Sequence, residues 1–292
     1  MKNEKGSEEF TLSVAGIGIS FLFDQSLAGL QVNNVNYEFV TSNRAEIKLR
    51  VHHGKFPERK IEEKIFDSGS TWSLYLSQGK FILQDCSFEP DAIIEKLVVL
   101  ESDFKSGEIY TKNDTSNLNF FLDSFGYPLH QVLMIILLSC GQGAMFHACG
   151  IDDRGSGYIF LGQSTHGKST MAKLWSQNQA TVLNDDRIIV REKDGVLWMY
   201  GTPWAGDFKE VSSKGLPIQK IFFLRRGKSN SVVRKESGEA VSMLLTRAFP
   251  PFWDKKGMEY TVGLCHLLAK ELPGYELTFV PDKKIIDFVR AL

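Results

Sequence analysis

The chain has no C-x-x-C pair and no cysteine–histidine spacing suited to a metal. Its four cysteines, Cys86, Cys140, Cys149 and Cys265, are scattered. This excludes a zinc knuckle or a dense disulfide framework and points to free thiols in a reducing cytoplasm. Charge of one sign is also missing. A net charge of −1 over 292 residues supplies no global field for nucleic acid or an anionic membrane, so neither is expected as a partner. No apolar run is long enough to cross a bilayer: the longest, residues 132–138, has only seven residues. The first ten residues, MKNEKGSEEF, are charged and carry no apolar signal core. Internal repeats and low-complexity tracts are absent as well. What is present is an ordinary globular composition, 43% apolar and 24% charged, at a length that suggests about two domains. A cytoplasmic protein is expected.

The organisation reads as α/β of mixed α+β character, with a β-rich domain over residues 1–125 and a phosphate-loop domain over 126–292. In the first, short apolar stretches at 11–23, 37–40, 46–51, 72–76, 80–83 and 97–100 are punctuated by glycine and polar residues. That pattern predicts an antiparallel sheet. No phosphate, metal or nucleophile signature falls there, so its role is not readable. A polar stretch at 111–119 marks a candidate boundary. A buried helix is expected over 128–138, with Pro128 suited to a first helical turn. Beyond residue 146, strands and helices alternate. They include a hairpin of 188–190 with 197–200 about Asp194-Gly195, a strand at 221–224, helices at 239–246 and 258–270, and a strand at 275–280 followed by a closing helix.

One segment carries explicit chemistry. Gly162-Gln163-Ser164-Thr165-His166-Gly167-Lys168-Ser169, followed by Thr170, fits G-x-x-x-x-G-K-[ST] between an apolar strand at 158–161 and a helix at 171–175. Glycines let successive backbone N–H groups curl around phosphate oxygens, and the helix N-terminus adds positive partial charge. Lys168 would reach the β- and γ-phosphates, and Ser169 would offer its hydroxyl to Mg²⁺. ATP or another nucleoside triphosphate is the expected ligand. His166 within the loop either touches a phosphate or fills a position whose backbone does the binding.

Sixteen positions after Ser169 comes Asp185, followed by Asp186. A helix, a connection and a short strand fit between. If that strand runs parallel to the one before the loop, the pair emerges at the sheet edge where open α/β sheets bind ligands. One carboxylate would then hold Mg²⁺ and the other accept a proton from an attacking hydroxyl. An acidic turn leaving a strand would read the same way. His147 lies in an apolar run, a setting that equally suits a structural histidine. Asp207, in a turn-rich stretch at 201–207, is a further metal or substrate candidate. Arg225, Arg226 and Lys228 would suit stabilisation of transferring phosphate charge or an exposed basic turn. The block Phe249-Pro250-Pro251-Phe252-Trp253-Asp254 is too apolar for a simple solvated loop.

His147, the loop from Gly162 to Thr170, and Leu183-Asn184-Asp185-Asp186 recur in order and similar spacing in the HPr serine kinase/phosphorylase family, which the region 130–200 resembles. The resemblance implies a kinase fold related to ATP-dependent phosphoenolpyruvate carboxykinase. It places His147 near the reacting phosphate and gives Lys168 and Ser169 phosphate and metal contacts. It divides base and metal roles between Asp185 and Asp186, here taken in that order. It further implies an ATP- and Mg²⁺-dependent serine kinase acting on a protein or peptide, a lasso-type precursor peptide among the candidates, with assembly into a homo-oligomer as a further family trait. The sequence departs from the family at Thr165-His166, where glycine is usual, and lacks the later glycine-rich signature, so phosphorylase activity on HPr is not carried over. A nucleotide-binding accessory switch without transfer and a kinase of free serine or another small molecule remain the alternatives.

Overall fold

The structure is a computed structural model that describes residues 8–23, 37–54, 56–58, 63–86, 94–112 and 126–292. The chain is mixed α and β, dominated by strands in two large sheets. It divides into two compact units, Met1–Met134 and Ile135–Leu292, and the division falls inside α1 (Gln131–Ser139). A π-helical turn at Gly126–His130, which contains Pro128, leads into that helix. Of the stretch 111–119, where the sequence suggested a boundary, residues 113–119 lie outside the described residues.

In the first unit, the described strands are β1 (Glu8–Val14), β2 (Ile17–Phe23), β3 (Ile47–His53), β4 (Glu63–Asp67), β5 (Trp72–Ser77), β6 (Lys80–Cys86), β7 (Ile94–Leu100) and β8 (Ser106–Thr111). They form one sheet in the order β1-β2-β3-β8-β7-β6-β5-β4. The sheet is not wholly antiparallel as expected, because β3 lies parallel to both β2 and β8. Local turn letters reveal hairpins, whereas these parallel partners are joined through long connections that leave no local signature. Residues 37–40 also depart from the expected strand. Val40 N–H donates to the Tyr37 carbonyl in a turn, and Val40 makes only a single bridge to Leu12. A four-residue apolar window is too short for alternation to separate the two outcomes. The strands β4 and β8 had no clear sequence signal.

The second unit carries the strands β9 (Ala144–Phe146), β10 (Ala148–Asp153), β11 (Ser156–Leu161), β12 (Thr181–Asn184), β13 (Ile188–Lys193), β14 (Val196–Tyr200), β15 (Gly215–Arg226), β16 (Ser231–Arg234) and β17 (Gly274–Phe279). Its remaining helices are α2 (Lys168–Ser176), α3 (Ser237–Leu245), α4 (Lys255–Glu271) and α5 (Lys284–Arg290). The main path of the sheet runs β12-β10-β11-β15-β14-β13-β9, and β17 joins the second half of β15. Strands β11, β15 and β17 are parallel. Parallel strands are covered on both faces, which accounts for the unbroken apolar runs at 158–161 and 221–224. The β13–β14 hairpin turns at Asp194 and Gly195 with φ of 52° and 76°, the positive values a two-residue turn needs.

Side-chain alternation sorts the core into two layers. Phe160, Phe222 and Leu224 face α2 and α5, packing on Met171, Trp175 and Ile285. Ile159, Ile221 and Phe223 face the opposite way, toward Leu244 of α3 and Leu264 and Leu268 of α4. Each such large side chain contributes about 1.5–3 kcal/mol on burial. The Phe249–Asp254 block does three jobs along its length. Phe249 approaches His147, Pro251 is buried, and Asp254 accepts from Lys256 N–H and Gly257 N–H as the N-cap of α4. All four cysteines are unpaired thiols. Among the described residues no helix is long and apolar enough to cross a membrane.

The end of α5 is fixed to the sheet by a two-pronged ion pair. Arg290 Nε and Nη2 reach the Asp153 carboxylate at 2.8 and 2.7 Å, and the guanidinium also lies over the Trp175 ring at 5.5 Å. The arginine holds the Asp153 carboxyl below its usual pKa. A depressed carboxylate stabilises the fold above its unfolded pKa and loses that contribution as pH falls through the folded value. Arg290→Ala is therefore expected to cost about 1–2 kcal/mol at neutral pH. Denaturant unfolding of both forms should find the gap shrinking below the ordinary carboxylate range.

Candidate functional site

The glycine-rich loop leaves the C-terminal end of β11 and enters α2. Two of its residues take left-handed backbone, Thr165 at φ 72° and Gly167 at φ 103°. Gly167 is required for space as well as for φ: a Cβ there would stand 2.6 Å from Cζ of Phe279. Lys168, the first residue of α2, is buried and bends back over the loop. Its Nζ donates to the Gly162 carbonyl at 2.9 Å and the Gln163 carbonyl at 3.2 Å. Burial pulls its pKa below the usual lysine value, against the opposing charges of Asp186 and Asp185.

Strand β12 runs in the same direction as β11, but it is not adjacent. Strand β10 lies between them and pairs antiparallel with both. Its N-terminal end therefore shares an edge with the C-terminal ends of its neighbours, with Ala148 opposite Leu161 and Gly150 opposite Asn184. His147, immediately before β10, arrives at that same edge. So do Asp185 and Asp186, immediately after β12.

Asn184 organises the turn that follows and is completely buried. Its Oδ1 accepts from Asp186 N–H at 2.7 Å and Arg187 N–H at 2.9 Å. Its Nδ2 donates to the carbonyls of Thr202 and Trp204, both at 2.9 Å. Asp185 ties down the same neighbouring segment from the other side. It is 1% exposed, and its two oxygens accept from Gly206 N–H at 2.9 Å and Phe208 N–H at 3.0 Å. Gly206 must be glycine at this approach, since a Cβ would lie 2.6 Å from Asp185 Oδ1.

Asp186 faces a different set of groups. His147 Nε2 lies 2.9 Å from Oδ1, and Arg187 donates to Oδ2. Burial alone would raise the Asp186 pKa; the hydrogen bond from His147 and the charges of Arg187 and Lys168 outweigh it and hold the carboxyl below its usual value. The Arg187 guanidinium in turn lies 4.3 Å from the centroid of the Phe249 ring. The His147 N–H donates to the Arg247 carbonyl at 2.7 Å, which fixes the backbone entering β10.

These groups enclose a polar cavity of about 330 Å³. It is lined by His147, Ser164, Thr165, Gly167, Lys168, Ser169, Thr170, Asp185, Asp186, Gly206, Asp207 and Arg226. The structure thus brings together most residues singled out in the sequence. Gly162, Gln163 and His166 do not line the cavity. The first two hold Lys168 through their carbonyls, and the His166 ring packs beside Gly162 with its buried Nδ1 unpartnered among the described residues. Of Arg225, Arg226 and Lys228, only Arg226 lines the cavity; Arg225 pairs with Glu276 at 2.9 Å. Sequence reasoning gave Asn184 no role. Its letter was in view, but its four partner residues lie two to twenty positions away and only the folded turn collects them.

No family model and no curated protein matches this chain. Among solved structures, it is similar to the HPr(Ser) kinase/phosphatase from Coxiella burnetii, with a TM-score of 0.32 and 11% identity over 50% of this chain and 94% of that one. A likeness this slight carries no weight for the site, whose reading rests on its own geometry.

The Asn184 network makes a direct prediction. Asn184→Ala strands buried donors and acceptors on two segments at once, so a loss of about 2–4 kcal/mol is expected. Chemical unfolding measures the loss. Hydrogen exchange should localise the added opening to residues 184–187 and 202–208.

Proposed function

We propose that this protein is a nucleotide-dependent phosphotransferase of the kinase kind, moving the γ-phosphoryl group of ATP or another nucleoside triphosphate to a serine hydroxyl of a protein or peptide. The observation that carries the reading is a convergence. A glycine-rich turn at a helix N-terminus, a buried lysine and a histidine-bound carboxylate, drawn from three separate stretches of chain, line one polar cavity. Backbone N–H groups and a lysine at a helix start suit a phosphate chain. The serine acceptor and its protein or peptide setting rest on the resemblance of His147, residues 162–170 and residues 183–186 to the HPr kinase family.

The residues present fit Mg²⁺, which favours a few hard oxygen ligands and completes its shell with water and substrate phosphates. Ser169 and Asp207 would hold it, the latter being an exposed carboxylate with no ion pair among the described residues. Bound there, the ion would neutralise charge on the transferring phosphates.

The protein groups divide the remaining work. Lys168 needs only to exchange two loop carbonyls for phosphate oxygens, and its buried stem fixes where the ammonium ends. Asp186 orients the acceptor hydroxyl and takes its proton, with His147 holding the carboxylate in place. A loose phosphoryl-transfer transition state demands more of positioning than of basicity, so a carboxylate of low pKa suffices. Asp185, taken from the sequence as the base, is 1% exposed with both oxygens on backbone N–H groups, whereas the Asp186 side chain is 29% exposed, and we assign Asp185 the anchoring of residues 206–208.

The test is transfer of labelled γ-phosphate, read by intact mass, to HPr, free serine and a panel of serine peptides. Wild type is expected to label one acceptor and Lys168→Ala none. Asp186→Asn should keep nucleotide binding while transfer falls about 10²–10⁴-fold. Wild-type transfer by Asp186→Asn would defeat the base assignment. Nucleotide binding with no acceptor labelled would favour an accessory switch in place of a kinase.

A further inference from the structure

Two arginines stand side by side at the end of β15, and the strand sends them to opposite sides. Alternation puts Arg225 on the face of Ile221 and Phe223, and Arg226 on the face of Phe222 and Leu224. The second face is the one on which α2 packs. Because β15 is parallel to β11, with Phe223 opposite Leu161, it continues past the strand end from which the glycine-rich loop springs. Arg226 therefore extends beside the loop. Its Nε lies 3.6 Å from the position a Cβ would take on Gly167, and the side chain lines the cavity.

The electrostatic contrast between the two is sharp. Arg225 is paired with Glu276, which also draws Lys235 at 3.6 Å. Arg226 has no ion pair and no side-chain hydrogen bond among the described residues. The other cation in the cavity, Lys168, is spent on loop carbonyls. An arginine beside backbone N–H groups and a helix N-terminus, paired with none of the carboxylates that line the same cavity, is a fork of donors suited to an anion.

We propose that Arg226 is a phosphate-contacting residue of this site, its guanidinium binding the phosphate chain of the nucleotide beside Gly167 and Lys168. The assignment rests on reading the cavity as a nucleotide phosphate site. It also explains why the strand runs on to Arg226 at the level of the loop: the backbone pairing of Arg226 with Phe279 on β17 holds the base of the side chain rigid. A pre-placed guanidinium adds charge stabilisation where negative charge gathers and needs no reorganisation to do so.

Calorimetric titration of the full chain with Mg²⁺ and ATP, ADP, pyrophosphate or adenosine tests it. Arg226→Ala is expected to weaken ATP, ADP and pyrophosphate by about 10- to 100-fold while leaving adenosine unchanged. Arg226→Lys should fall between, and Arg225→Ala should bind like wild type. Thermal unfolding of all forms checks that the fold is kept, and Arg226→Gln serves as a second neutral variant if the alanine form is unstable. Equal binding of pyrophosphate by wild type and the neutral variants would overturn the role of Arg226 and leave the kinase reading standing. Failure of wild type to bind any of the phosphate ligands would overturn both.

Discussion

The completely buried amide of Asn184 is the constraint on which the acidic side of the site depends. With one oxygen it closes the turn Asn184–Arg187, and with its NH₂ group it seizes the carbonyls of a loop some twenty residues on. Asp185 then takes two N–H groups from the same loop. The polarity is complementary: the amide supplies donors to carbonyls, the carboxylate supplies acceptors to amides. Neither side chain can be replaced by an apolar one without leaving buried backbone groups unpaired. The result is a tightly bonded corner in which both carboxylates line the cavity and Asp186 alone meets His147. The two acidic neighbours thus sit in different settings, Asp185 on backbone N–H groups and Asp186 on side chains, a division set by hydrogen-bond geometry rather than by order in the chain.

How much of this was legible beforehand varies with how local the cause is. The strand–loop–helix placement of 162–170 could be read because its glycine pattern is written in consecutive letters and flanked by apolar runs that mark a strand and a helix. The helices at 255–271 and 284–290 and the Asp194-Gly195 hairpin were legible for the same reason. The meeting of His147 with Asp186 was not derivable from residues alone, since it needs an antiparallel strand to be inserted between two strands that run alike. The parallel placement of β3 in the first unit failed to declare itself because its neighbours are remote in sequence. A part of the signal for Arg226 was present and went unused. Its parity with Phe222 and Leu224 follows from the letters, but only the length of β15 shows that the strand still holds its alternation at residue 226.

The second unit also illustrates how a two-faced sheet separates stability from chemistry. Large apolar side chains fill both layers above and below β11 and β15, while His147, Lys168, Asp185 and Asp186 gather at one edge. Cys149 marks the transition: it lies in the core beside the site, and burial, with the Asp185 charge behind it, pushes the thiol well above its usual pKa. A thiol so disposed is an inert packing group, and the polar edge begins two residues before it, at His147.

Strand β10 has one more effect, as a gauge. By separating β11 from β12 it sets the glycine-rich loop and the acidic turn two strand widths apart, about 9–10 Å at ordinary inter-strand spacing. Had the two strands been neighbours, the gap would be halved and lysine and carboxylates would neutralise one another across it. Instead the backbone pairing of β10 with both strands holds the interval open, wide enough for an extended chain of anionic groups to lie between a cationic rim and an acidic one.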